Sequence, residues 1–145
     1  MHRTAAKVAE RLALRGLAVQ IRELPDSTRT AKEAASACGC DVGQIVKSLV
    51  FVVGEVPTMV LCAGDRRVEH LDGRPASADE ARAATGFAIG GIPPLGHDRD
   101  LPTIVDESLS RFDSVWCAAG TPHAVFEAPL AELLAALPDP EIRAV

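Results

Sequence analysis

Apolar and polar positions divide the chain into stretches of helical and of strand-like period. From Thr4 to Arg15, Val8, Leu12 and Leu14 recur among charged residues before Gly16, which predicts an amphipathic helix with a glycine stop. Leu17–Leu24 alternates as a strand does. Thr30-Ala31-Lys32-Glu33 has the capping-box pattern, in which Thr30 and Glu33 satisfy each other's amides, and predicts a helix closing at Gly39. Gln44–Val53 and Val56–Ala63 are rich in β-branched residues and flank Gly54-Glu55, a hairpin pattern. Gly64-Asp65-Arg66-Arg67 then leads into a short helical turn. A second box, Ser77 with Glu80, opens a helix to Thr85 that Gly86 closes. Beyond a Gly/Pro-rich loop, Gly90–His97, the runs Pro102–Asp106, Ser114–Ala119 and His123–Glu127 read as short strands. Pro129 starts a last helix to about Leu137, and Pro138-Asp139-Pro140 ends the fold.

Helices and strands are interspersed, and the hairpin excludes a purely parallel sheet. With 145 residues, no repeat and no linker, residues 1–145 are expected to form one α/β domain. Its sheet is expected to be mixed and strongly curved, barrel-like, and surrounded by helices. The 48% apolar and 24% charged composition is that of a soluble globular protein. No apolar stretch approaches the roughly 18–20 residues of a membrane-spanning helix, and the N-terminus has no secretory core. A cytoplasmic protein with no membrane partner is therefore expected.

Charge and cysteines narrow the chemistry. The net charge of −5 argues against a general nucleic-acid binder, DNA included, while leaving room for a small basic mouth at Lys47, Arg66 and Arg67 that grips an RNA end. Aromatic residues are only 3% with no Tyr, which excludes an open base-stacking platform. Cys38, Cys40, Cys62 and Cys117 make no disulfide framework in such a domain, and Cys38-Gly39-Cys40 lacks a second close pair. His70, His97 and His123 are scattered, so no metal and no cofactor are expected.

Lys47 interrupts the longest apolar run. In Gln44-Ile45-Val46-Lys47-Ser48-Leu49-Val50-Phe51 the two-residue period sets it on one face with Ile45, Leu49 and Phe51. An ammonium there is costly unless it is paired, snorkels into a cleft or meets an anionic ligand. The alternative is an edge-strand lysine that blocks aggregation. Gly90-Gly91-Ile92-Pro93-Pro94 is a G-x-x-x-P loop whose glycines admit a ligand to the backbone and whose prolines supply carbonyls without donors. Gly120-Thr121-Pro122-His123 is a turn directly after a strand, where functional residues often sit.

Together and in this order, these segments resemble the YbaK/ProX family of aminoacyl-tRNA deacylases, whose fold is also the editing insertion of bacterial prolyl-tRNA synthetases. Gln44–Phe51, Gly64–Val68, Thr85–His97 and Val105–Leu109 carry the resemblance, which extends from about Thr30 to Leu137. It implies a trans-editing hydrolase that cleaves the ester of mischarged tRNA, with tRNA for proline carrying Cys, Ala or another small amino acid as the expected substrate. It implies catalytic roles for Lys47, Gly90, Pro94 and Asp106, with Lys47 holding the terminal nucleotide or the acyl carbonyl. Gly91, Ile92, Pro93, Gly120, His123 and Arg66 are the expected substrate contacts. The implied partners are the aminoacyl-tRNA 3′ end and a prolyl-tRNA synthetase. No Ser-His-Asp order is evident, so the expected attacking group is water aided by the substrate's own hydroxyl. Asp106 reads equally as the cap of a helical turn, and His97 as a loop support. The rival reading is a non-catalytic module of the same fold that binds a tRNA end or a synthetase. Residues 69–77 are shorter than the family's segment by a turn or two of helix.

Overall fold

Two β-rich runs meet at Gly54 and Glu55, and the hairpin they form organises the rest. Both turn residues take left-handed backbone angles, φ 54° and 66°, as a two-residue turn that matches strand twist requires. The computed structural model describes all 145 residues. In chain order the elements are α1 (Arg3–Leu14), β1 (Arg22–Glu23), α2 (Ala31–Cys38), β2 (Val46–Val53), β3 (Val56–Ala63), β4 (Arg74–Pro75), α3 (Ala78–Thr85), β5 (Thr103–Asp106), β6 (Ser114–Ala118), β7 (Ala124–Pro129), α4 (Leu130–Ala136) and β8 (Glu141–Arg143). Short 3-10 turns cover Val42–Gln44 and Glu107–Arg111.

The strands form two open sheets, ordered β4-β2-β3-β5-β8 and β1-β7-β6. The pairs β3–β5 and β5–β8 are parallel and the others antiparallel, so the sheet is mixed as expected. The expected barrel-like curl is not there. The two sheets meet at a single bridge, Ile45 to Trp116, and β2 then pairs on that edge with β4 at Phe51 and Val52 instead of continuing along β6. A gap between β2 and β6 results, and it becomes the site.

Both faces of the hairpin are covered, which is why its sequence is apolar almost throughout. Val46, Val50, Met59 and Leu61 join α1 (Ala5, Val8, Leu12), Phe126 and Leu133 in the main core. Phe51, Val60 and Cys62 point the other way and pack with Ile104 and Val145.

Local differences from the sequence reading have identifiable causes. The Leu17–Leu24 run pairs only at Arg22–Glu23, and at its start the Leu17 N–H turns back to Leu12 O (3.0 Å) at the end of α1. Thr30 caps α2, accepting from Glu33 N (3.1 Å), but its hydroxyl takes up the Glu33 carboxylate (3.0 Å), so the box is not reciprocal. The Ser77–Glu80 box is complete. Gly64–Arg67 makes a turn, Arg66 N to Ala63 O, without a helix. The chain beyond Pro140 does not end the fold: β8 adds in parallel to β5, a strand too short and too close to prolines to show periodicity.

Candidate functional site

Hydrogen-bond alternation in the hairpin decides what lines the gap. Met59 N–H donates to Pro102 O (2.8 Å) and Ala63 N–H to Asp106 Oδ2 (3.0 Å), so both residues face away from β2. Their cross-strand partners Val50 and Val46, and Ser48 between them, therefore face away from β3. Ala76 N–H reaches Val50 O (2.9 Å) from that side. Between the Ile45 bridge and the β4 pairing no strand covers Ser48, and the backbone of β2 presents its edge to the gap.

The gap is a cleft of about 510 Å³, a volume typical of sites for small molecules or a nucleoside. Its floor includes Ile45, Val46, Ser48 and Trp116, one wall Thr28–Lys32 from the start of α2, and the other Ile89, Gly90 and Ile92. Lys47, Arg29 and Lys32 line it, and no Asp, Glu or His does. Lys47 Nζ donates to the Arg66 carbonyl, which holds the head in place and leaves two of its three donors for a ligand. Ser48 Oγ is buried against the cleft with no hydrogen-bond partner from the protein, which leaves it to bond to water or to a ligand there.

Neither nearby thiol is a nucleophile. Burial, opposed by the Lys47 ammonium and reinforced by Asp106, pushes the Cys62 thiol up to about 11. Cys117 lines the cleft but is 1% exposed, and burial pushes its thiol up as well. Both stay protonated at neutral pH.

The G-x-x-x-P loop lies across the cleft from Lys47 and is braced from below. Gly90 has φ 98° and an open surrounding, so its backbone is accessible. A Cβ on Gly91 would stand 2.6 Å from Gly120 O, and Gly120 N–H donates to Gly91 O (2.8 Å), so the loop and the Gly120 turn interlock. Ile92 lines the cleft, whereas Pro93 and Pro94 are buried beneath it. Because a carbonyl only accepts, the 2.7 Å contact between His97 Nε2 and Pro93 O fixes the Nε2–H tautomer. His97 is thus the loop support that the sequence suggested. The Pro122 carbonyl accepts from both N–H and Oγ1 of Thr28 (2.8 Å each), so the turn anchors the opposite wall. His123 is exposed and does not line the cleft.

Asp106 and the Arg66 side chain lie outside this cleft, in a separate depression with Asp65, Glu69 and Glu107. Asp106 caps the 3-10 turn, accepting from Ser108 N (2.9 Å) and Oγ (2.7 Å) as well as from Ala63 N. Burial opposes its charge, but these hydrogen bonds win and hold the carboxyl below its usual range. These bonds make Asp106 the cap of that turn. Ser48, Arg29 and Lys32 are the cleft residues that sequence reading passed over. Ser48 was hidden as a small polar residue in an apolar strand, and the two cations as part of a solvated helix start.

A family model for the aminoacyl-tRNA editing domain matches residues 25–136, which span both walls and the floor of the cleft. The chain belongs to the aminoacyl-tRNA editing domain family. Among curated relatives, this editing domain is 30% identical over 122 residues to the uncharacterized protein YwhH of Bacillus subtilis, covering 78% of each chain. It is 30% identical over 128 residues to the proline–tRNA ligase of Shouchella clausii, covering 82% of this chain and 22% of the ligase. Among solved structures, a candidate trans-editing enzyme for prolyl tRNA synthetase superposes with a TM-score of 0.92 at 43% identity, covering 99% of this chain and 97% of that one.

Proposed function

We propose that this protein is a trans-editing hydrolase that cleaves the ester between a small amino acid and the 3′ end of a mischarged tRNA, with tRNA for proline as its principal substrate. The observation that carries the reading is a cleft with a held lysine, an uncovered strand edge and no carboxylate, in a chain of net charge −5. Such a cleft favours an anionic RNA end. The relation to a candidate Cys-tRNA(Pro)/Cys-tRNA(Cys) deacylase of Enterococcus faecalis, 25% identical over 101 residues, and to proline–tRNA ligases supports the choice of tRNA.

In this reading Lys47 points one of its free donors at the ester carbonyl oxygen and stabilises the negative charge that develops there. The uncovered edge at Val46 and Ser48, the Ser48 hydroxyl and the Gly90 backbone hold the aminoacyl end in line. Since no Asp, Glu or His lines the cleft, the proton acceptor comes from the substrate or from water. Water adds to the carbonyl carbon, the bond to the 3′ oxygen breaks, and that oxygen takes up a proton, releasing the amino acid and free tRNA. A second hydrolytic site is useful because one methylene provides only about 1–3 kcal/mol of discrimination in a synthetase pocket.

The test is a deacylation screen over mischarged tRNAs, including Cys- and Ala-tRNA for proline, with Lys47→Ala alongside. Hydrolysis by the wild type and its loss in the variant are expected. Binding without cleavage would favour the non-catalytic module, and equal turnover by Lys47→Ala would remove Lys47 from the mechanism.

A further inference from the structure

We propose that Arg29 and Lys32 form a phosphate grip for the 3′-terminal nucleotides, so that the acceptor strand enters the cleft across the start of α2 and delivers its ester inward to Lys47. This rests on the hydrolytic reading above and adds the direction of entry and the residues that bind the RNA backbone. Both cations line the cleft mouth, and neither has a carboxylate partner. Elsewhere Arg11 pairs with Asp98, Arg15 with Asp100, Arg66 with Asp65 and Arg74 with Glu80, and Arg3, Arg67, Arg82 and Arg99, which make no ion pair, do not line the cleft. Of the acids near this wall, Glu33 is engaged by the Thr30 hydroxyl and Asp26 is exposed, and neither lines the cleft.

The backbone that carries the grip is fixed before any ligand arrives. Thr28 is tied twice to Pro122 O, Leu24 N–H to His123 O (2.7 Å), and Thr30 is the α2 cap, so Arg29 is held between two anchored residues. A rigid support lowers the ordering that binding requires. The opposite lip has the other character. Ile89 is 59% exposed beside Gly90, an apolar surface suited to a sugar or base face and not to a phosphate. The mouth is therefore polarised, cations on the α2 lip and hydrocarbon on the loop lip, and this polarity orients a nucleotide. Trp116, on the cleft floor, is half-buried and carries Arg22 5.9 Å from its ring centre, a cation that does not itself line the cleft.

The experiment compares wild type with the Arg29→Gln/Lys32→Gln double variant on two substrates, a mischarged tRNA and the corresponding 3′-aminoacyl-adenosine, which has no phosphate. For tRNA the expected result is a KM raised about tenfold or more with kcat within about twofold. The salt dependence of log KM should also become shallower by about 1.4, since each phosphate neutralised on a single strand contributes about 0.7. For aminoacyl-adenosine both constants should match the wild type. Equal damage on both substrates would mean a structural role, and no change on tRNA would mean no grip; either overturns the proposal. Anisotropy with uncharged tRNA separates the two readings. If the wild type cleaves nothing, the hydrolytic reading fails, while a tenfold affinity loss in the double variant still upholds the grip and an unchanged affinity refutes it.

Discussion

The Gly64–His70 segment divides two depressions of opposite electrostatic character. On one side Gly64 lines the cleft, where Lys47, Arg29 and Lys32 meet no acid. On the other, Arg66 and Arg67 share a depression with Asp65, Glu69, Asp106 and Glu107. In sequence Arg66-Arg67 looks like the more basic feature, yet its surroundings neutralise it. What matters for an anionic ligand is which cations the fold leaves without partners. The Arg66 main chain takes part in both regions, because its carbonyl holds the Lys47 head while its guanidinium turns to Asp65 (3.7 Å).

The sharpest way to break this contrast is a pair of truncations, one in each depression. Lys47→Ala is expected to lower kcat on mischarged tRNA by about 10²–10³-fold, the loss typical of a removed oxyanion donor, with little change in melting temperature. Asp106→Ala is expected to do the reverse. It removes a cap and orphans the buried Ala63 N–H, so urea denaturation should show a loss of about 2–4 kcal/mol. A kcat loss as large as that of Lys47→Ala in folded Asp106→Ala protein would return Asp106 to the chemistry.

Ser48→Ala sharpens the contrast within the cleft. Removing a buried hydroxyl that has no partner should raise stability by up to about 1 kcal/mol while kcat/KM falls about tenfold. A fall in both would mean that the hydroxyl supports the fold. Arg66→Ala, in the acidic depression, should change KM for tRNA less than about twofold and leave its salt slope unaltered.

The two regions should also lose stability in different pH windows. Burial pushes the His97 imidazole below its ordinary value, so the folded state holds it neutral under Pro93. Its contribution is present above the ordinary histidine value of about 6.5 and is lost as pH falls from there. Asp106, held below the usual carboxylate range, contributes above about 3.9 and fails only in stronger acid. Stability measured from pH 8 to 3 should therefore show an early loss that His97→Asn abolishes and a later one that it leaves.

Much of this was legible in the residues because local chemistry and tertiary structure agree. The Gly54-Glu55 hairpin, the Ser77 box and the Gly39 and Gly86 stops are set by short-range geometry, and each formed where the pattern put it. Lys47 and Gly90 stood out because a cation in an apolar strand and a G-x-x-x-P loop each need a reason, and they meet in one cleft. The open seam between β2 and β6 depends on which strand takes an edge, a choice between distant segments that no local pattern records. β8 was missed because three residues beside prolines show no period, and Arg29 and Lys32 because freedom from partners is a tertiary property. Asp106 shows the converse: two local readings fitted the sequence, and its bond from the distant Ala63 N–H is a tertiary contact that neither records.

On this account the aminoacyl end binds in the acid-free cleft and not beside Asp106. A titration of ¹⁵N-labelled protein with a non-hydrolysable 3′-amide analogue of aminoacyl-adenosine tests this most directly. The expected result is a set of amide shifts at Val46, Ser48 and Gly90, with Glu69, His70 and Ser108 unmoved. Shifts confined to Glu69, His70 and Ser108 would contradict it.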